Sequence, residues 1–168
     1  NGTGNVIHAA KVVGAKFIHV STVNVRGFRS GDLSHAYAAT KSRAEDLVGE
    51  SARNGLDTVI VRAATVFGNE VGRAGSIVER LLSDSLKVLP APGRKISPVW
   101  SDDLAVALIR ASDVGESGRT YTVAGPTQTT SEFVEAICSA GDFSNPLVYV
   151  PAWLFAVPLR TEDKDRPS

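Results

Sequence analysis

Methionine is absent from this chain of 168 residues, and cysteine occurs once. A lone Cys138 excludes an internal disulfide and cannot build a zinc site by itself, so a buried, reduced thiol is expected there. Net charge is missing too, since 18 Lys and Arg balance 18 Asp and Glu. Without an overall positive field, no nucleic-acid partner is expected. No apolar stretch approaches the roughly 20 residues that span a bilayer. The longest, Pro151 to Leu159, is broken by Pro158. No His/Asp/Glu cluster has metal-ligand spacing, so no metal is expected. What is present is a globular balance of 43% hydrophobic and 21% charged residues, which excludes wholesale disorder. The length suits one domain of ordinary size.

Strand-like and helix-like segments alternate. Residues 5–13 read as a short amphipathic helix stopped by Gly14, and 16–21 (KFIHVS) as a strand ending in hydroxyl residues. Residues 23–34 form a Gly-, Arg- and Ser-rich loop. An alanine-rich helix follows over 36–54 and is ended by Gly55. Residues 57–63 carry Val59, Ile60 and Val61 in succession, the mark of a strand buried on both faces. Further helices are predicted over 75–83, over 102–111 with Ser101 as N-cap, and from Thr130 or Ser131 through Cys138, with Gly141 following. Short strands are predicted over 87–89, 120–123 and 147–150, and residues 161–168 as a solvated tail. Such alternation implies an α/β fold, with a mostly parallel sheet covered on both sides.

One constellation carries chemistry. Tyr37 and Lys41 are four apart, so a helix places them one turn apart on one face. A phenol, with a reference pKa of about 10, is a poor base at neutral pH, and a nearby ammonium stabilises the phenolate. The same ammonium can hydrogen-bond ribose hydroxyls. Ser21 and Thr22 stand at the carboxyl end of the preceding strand, where open α/β sheets bind ligands. Together these groups suit a proton relay that accompanies hydride transfer to a nicotinamide. Elsewhere the readings are plainer. His8 reads as a surface residue, His19 as a core or cofactor-face residue and His35 as a loop end. Asp102 and Asp103 read as helix-start charges. Arg26 and Arg29 stand in a loop where they are either solvated or set against a phosphate or acidic partner.

These features, in their order, resemble the extended or atypical short-chain dehydrogenases/reductases. The matching pieces are G-T-x-N at Gly2, Thr3 and Asn5, F-I-H-V-S-T from Phe17 to Thr22, and Y-x-x-x-K at Tyr37 and Lys41. V-R-x-x-x-V-F-G from Val61 to Gly68 and D-D-L-A from Asp102 to Ala105 complete them. The resemblance implies the C-terminal part of a Rossmann-like, doubly wound parallel sheet with a small substrate-domain-like region. Residues 1–168 are then a partial NAD(P)-binding domain, with 69–100 and 126–168 contributing to the smaller lobe. The family's Gly-rich pyrophosphate turn precedes all these motifs and is not in this sequence, so the chain reads as starting inside a domain. The resemblance implies NADH or NADPH as cofactor, held by Ser21, Tyr37, Lys41, Ala63, Ala64 and Val66. In an active enzyme Thr22, Tyr37 and Lys41 are the implied catalytic residues.

Three departures bear on the substrate. Only 14 residues separate Thr22 from Tyr37, shorter than the substrate loop usual in sugar-nucleotide epimerases. Arg26 replaces an aromatic residue and Ala63 a proline, while Ile96 stands where an arginine often meets the nucleotide phosphate. The chain is similar in these respects to the NAD(P)H-binding accessory subunits of respiratory complex I. It shares F-G-x-E (Phe67, Gly68, Glu70), P-V-W-x-x-D (Pro98 to Asp103) and G-R-T-Y…G-P (Gly118 to Tyr121, Gly125, Pro126). That resemblance implies a structural subunit on the matrix side of the mitochondrial inner membrane, with other complex I subunits, or the missing half of its own domain, as partners. The apolar arm Pro151–Leu159 suits a partner or a membrane surface. The alternative is an active NAD(P)-dependent oxidoreductase or epimerase on a small alcohol, ketone or steroid-like substrate.

Overall fold

The computed structural model describes residues 2–26, 36–68, 79–81, 83, 85–90, 92–141 and 148–150. Arg29, His35, Glu70, the arm 151–159 and the tail 161–168 lie outside them, as does most of the helix expected over 75–83, of which 79–81 are helical. The chain divides into two compact units, residues 1–77 with 96–127, and residues 78–95 with 128–168.

The first unit is built on three parallel strands in the order β1–β2–β7. β1 (Phe17–Thr22) pairs in register with β2 (Thr58–Ala63), from Phe17 opposite Thr58 to Thr22 opposite Ala63. β2 also pairs with β7 (Thr120–Val123). The central strand carries the β-branched run, and Val59 and Val61 are fully buried. Alternation sends its side chains to both faces. Ile60 packs with Phe17, with Ile7 and Ala10 of α1 (Gly2–Val13), and with Leu47 and Val48 of α2 (Ala36–Arg53). Val59 and Val61 pack on the opposite face with Ile18, Val123 and three residues of α3 (Ser101–Val114): Leu104, Leu108 and Ala111. Helices therefore cover both faces of a parallel sheet, as the alternating pattern implied.

The helix stops follow from glycine. At Gly14 φ is 67° and at Gly55 it is 86°, the left-handed region in which only glycine avoids a Cβ penalty. In each case the amide that follows the glycine reaches back five residues. Ala15 N–H donates to Ala10 O, and Leu56 N–H to Ser51 O, both at 3.0 Å. α1 starts at Gly2 rather than residue 5, because first-turn amides need no helical partner and poor helix formers cost little there. α3 starts at Ser101 itself, with Trp100 as N-cap, and runs on to Val114. The expected Ser101 cap is therefore not made: its hydroxyl faces Asp102 Oδ1 at 3.4 Å. β6 (Pro98–Trp100) runs directly into the helix and leaves no position for a separate cap. β6 pairs with β3 (Thr65–Phe67), and the Phe67 and Trp100 rings meet edge to face at 5.2 Å.

In the second unit β4 (Val88–Pro90) pairs in parallel with β9 (Val148–Val150). α4 (Thr130–Gly141) buries Phe133, Val134 and Cys138. It begins with a reciprocal cap one residue earlier than expected. Glu132 N–H donates to Thr129 Oγ1 at 3.2 Å, and Thr129 N–H donates to Glu132 Oε2 at 2.6 Å. Cys138 is buried, as expected, and burial pushes its thiol pKa up. The short strands β5 (Lys95–Ile96) and β8 (Gln128–Thr129) complete the described elements.

Candidate active site

The carboxyl ends of β1, β2 and β7 form one edge of the first unit, and the residues singled out in the sequence gather near the β1 end of it. Thr22 is the last residue of β1, is buried, and accepts a 3.3 Å hydrogen bond from Asn24 N–H at its Oγ1. Tyr37 and Lys41 occupy the first two turns of α2. The Tyr37 side chain is exposed, with 59% of its surface open. Lys41 Nζ lies 6.0 Å from the centre of the Tyr37 ring and donates to the Val20 carbonyl of β1 at 2.9 Å. The backbone of β1 thus holds the ammonium beside the phenol, at the level where the strand ends.

The other expected contributors divide. Ser21 is buried and its hydroxyl donates to Glu45 Oε1 at 2.6 Å, so it faces α2 rather than open solvent. Ala63 is buried, and its carbonyl accepts from Val23 N–H at 3.0 Å. Ala64 N–H donates to Val123 O at 3.0 Å, so that amide is spent on the sheet rather than held out to a ligand. Val66 lies in β3, in the separate ladder with β6. Arg26 Nη2 donates to Thr122 Oγ1 of β7 at 3.3 Å, which lays the guanidinium across the strand ends.

One functional feature escaped the sequence reading. Glu45 of α2 is 3% exposed and accepts hydrogen bonds from both neighbouring strands. Besides Ser21, Arg62 Nε donates at 2.9 Å to Oε1 and Arg62 Nη2 at 2.7 Å to Oε2. This bidentate pairing raises the Arg62 pKa. The signal was available, for Tyr37, Lys41 and Glu45 form an i, i+4, i+8 stripe, and an acid on the sheet-facing side of an alanine-rich helix needs a partner. His19, on the same strand face as Ser21, is also buried, and its Nε2 has no hydrogen-bond partner. Burial, and then the Lys41 ammonium, lower its pKa below the ordinary histidine value against an opposing pull from Glu45. Among the described residues no group of three metal-ligating side chains comes together, and no helix is long and apolar enough to cross a membrane.

A parallel sheet sandwiched by helices, with polar groups gathered at its carboxyl edge, defines a Rossmann-like α/β protein. The sequence profile of the NAD dependent epimerase/dehydratase family matches residues 1–124, and the chain belongs to that family. Solved structures agree on the fold. The dTDP-glucose 4,6-dehydratase from Bacillus anthracis in complex with NAD superposes with a TM-score of 0.75 at 19% identity, covering 89% of this chain and 54% of that one. For the Thermus thermophilus UDP-glucose 4-epimerase complex with NAD the TM-score is 0.70 at 25% identity, covering 89% and 56%. For RMD from Pseudomonas aeruginosa complexed with NADPH it is 0.70 at 20% identity, covering 90% and 60%. The chain therefore spans only about half to three fifths of the length of these structures. No curated protein matches the sequence at a significant level.

Proposed function

We propose that this chain carries the catalytic portion of an NAD(P)-dependent oxidoreductase or epimerase acting on a small alcohol or ketone. The observation that carries the reading is the placement of Lys41 Nζ, held by the Val20 carbonyl and 6.0 Å from the Tyr37 ring, at the strand end that Thr22 closes. The donor set suits a nicotinamide nucleotide: an ammonium for ribose hydroxyls, an exposed phenol for proton exchange, and a hydroxyl at the strand terminus. When bound, that cofactor supplies the two-electron redox chemistry. The protein's own part is the proton. Tyr37 Oη donates it to, or takes it from, the substrate oxygen; Lys41 holds the ribose hydroxyls; Thr22 orients the substrate. Family membership and the likeness to dehydratases and an epimerase support this reading ahead of the accessory-subunit one. Ser21, Ala63, Ala64 and Val66 enter it as residues near the nucleotide, Ala64 through its side chain or carbonyl because its amide is bonded.

The test uses the intact protein with NADH or NADPH and a panel of small ketones and nucleotide-sugars. Tyr37→Phe is expected to lower turnover by a factor of about 10² to 10⁴, the usual worth of a general acid–base, while leaving nucleotide affinity in place. Equal turnover in the two proteins refutes the assignment.

A second reading, a complex I subunit that binds nucleotide without turnover, is favoured by one observation, the order of the F-G-x-E, P-V-W-x-x-D and G-R-T-Y motifs. It expects the protein to co-purify with a membrane-bound respiratory assembly on the matrix side. Isolation of a soluble protein unattached to that assembly counts against it.

A further inference from the structure

Glu45 of α2 accepts hydrogen bonds from Ser21 and Arg62, each one residue short of the carboxyl end of its strand. The other buried positions of that helix are Ala38, Ser42, Ala44, Val48 and Ser51. Four of these five are alanine or serine. Small side chains let a helix approach a sheet closely, but they interlock weakly and fix its rotation poorly. Directional bonds supply what packing does not. Ser21 and Arg62 are opposite each other in the β1–β2 register, and both donate to the one carboxylate. A single side chain therefore ties α2 to two neighbouring strands at once. The tie sits one helical turn beyond Lys41 and two beyond Tyr37.

We infer that Glu45 is a positioning residue: with Ser21 and Arg62 it sets the rotation of α2 about its axis, and so the place of the Tyr37 phenol and Lys41 ammonium at the strand end. The inference rests on the proposed function and deepens it. The lever is short but sufficient. A side-chain group about 6 Å from a helix axis moves about 2 Å when the helix turns by about 20°. Misplacement of about 1 Å can already cost about a hundredfold in rate. Lys41 has one bond to β1 of its own, to the Val20 carbonyl, and a single contact at a flexible side-chain tip does not prevent such a turn.

The experiment separates position from stability. The intact protein is labelled with 3-fluorotyrosine, and the Tyr37 fluorine signal is assigned by Tyr37→Phe. NADH and NADPH are titrated while the signal and the binding constant are followed, and Tm is measured alongside. In the unsubstituted protein the Tyr37 signal is expected to move on saturation. Glu45→Gln is expected to cut that movement by more than half and to weaken nucleotide binding about tenfold. The pair Glu45→Gln with Arg62→Gln leaves no buried charge unpaired, so it is expected to recover Tm without recovering the Tyr37 response. Ser21→Ala, which removes one arm of the tie, is expected to give an intermediate response and keeps the test open if Glu45→Gln alone does not fold. A full Tyr37 response and full affinity in the folded variants overturn the inference alone. Recovery of the response together with Tm in the double variant does the same, for it reduces Glu45 to a stabilising role. An unsubstituted protein whose Tyr37 signal ignores both nucleotides overturns the proposed function, and this inference with it.

Discussion

Arg62→Met isolates what the buried ion pair contributes to stability. Arg62 and Glu45 meet in a fork, Nε to Oε1 at 2.9 Å and Nη2 to Oε2 at 2.7 Å. Their side chains are unequally buried, with 18% of the arginine exposed and 2% of the glutamate. Methionine keeps most of the arginine stem's volume and deletes the fork. The carboxylate is then left out of water without its guanidinium. Removing one member of a buried pair costs about 3–5 kcal/mol. Because the guanidinium keeps some hydration, the lower end applies, about 3 kcal/mol. At roughly 2–4 °C per kcal/mol for a protein of this size, Tm should fall by about 6–12 °C. Replacing both partners, Glu45→Leu with Arg62→Met, should return stability to within about 1 kcal/mol of the starting protein, because no charge is then stranded. Urea unfolding followed by circular dichroism on the four members of this cycle gives the coupling directly. A loss below about 1 kcal/mol for Arg62→Met, the range of solvent-exposed pairs, would show that the carboxylate is hydrated and would refute the argument.

Two further predictions follow from buried geometry. His19 has its pKa lowered in the folded chain, chiefly by burial, so the unfolded chain takes up the proton first. Stability is therefore fully present above the ordinary value of about 6.5 and declines as pH falls through it toward the lowered one. His19→Leu removes both this acid limb and the unpartnered Nε2, so its Tm should gain on that of the unsubstituted protein as pH drops from 8 to 5, and parallel curves would sink the claim. Gly125 N–H donates to Pro98 O at 3.1 Å, and a Cβ at that position falls on the same carbonyl oxygen. Gly125→Ala should cost about 2 kcal/mol in thermal or urea unfolding, from overpacking against backbone that cannot swing aside, and a cost within about 0.5 kcal/mol would mean that the approach relaxes freely.

Much of the fold was legible because its determinants are local. The run Val59, Ile60 and Val61 admits few readings other than a strand covered on both sides, and it is the central strand of the sheet. Gly14 and Gly55 stop their helices because those positions demand a left-handed residue. The misses are of another kind. β3 and β6 are three residues each, too short to show a period, and their pairing depends on a partner more than 30 residues away. The cap of α4 was placed one residue late because Thr129, Thr130 and Ser131 are all good caps. Only the reach of Glu132 back to Thr129 decides among them.

The site shows the same division more sharply. Tyr37 and Lys41 could be placed side by side from spacing alone, since helical geometry fixes what lies one turn apart. Spacing says nothing of what holds the helix that carries them. That depends on Ser21 and Arg62 coming into register across two strands, and on a carboxylate on α2 lying over both. The family resemblance offers Ser21, beside Thr22, among the residues that hold the nucleotide. A strand sends neighbours to opposite faces, so the two hydroxyls meet different surroundings. Thr22 ends β1, and the Ser21 hydroxyl is turned to the helix. The alternation that identifies β1 as a strand thus already contains the distinction between the Thr22 hydroxyl, which meets Asn24 N–H past the strand end, and the Ser21 hydroxyl, which meets α2.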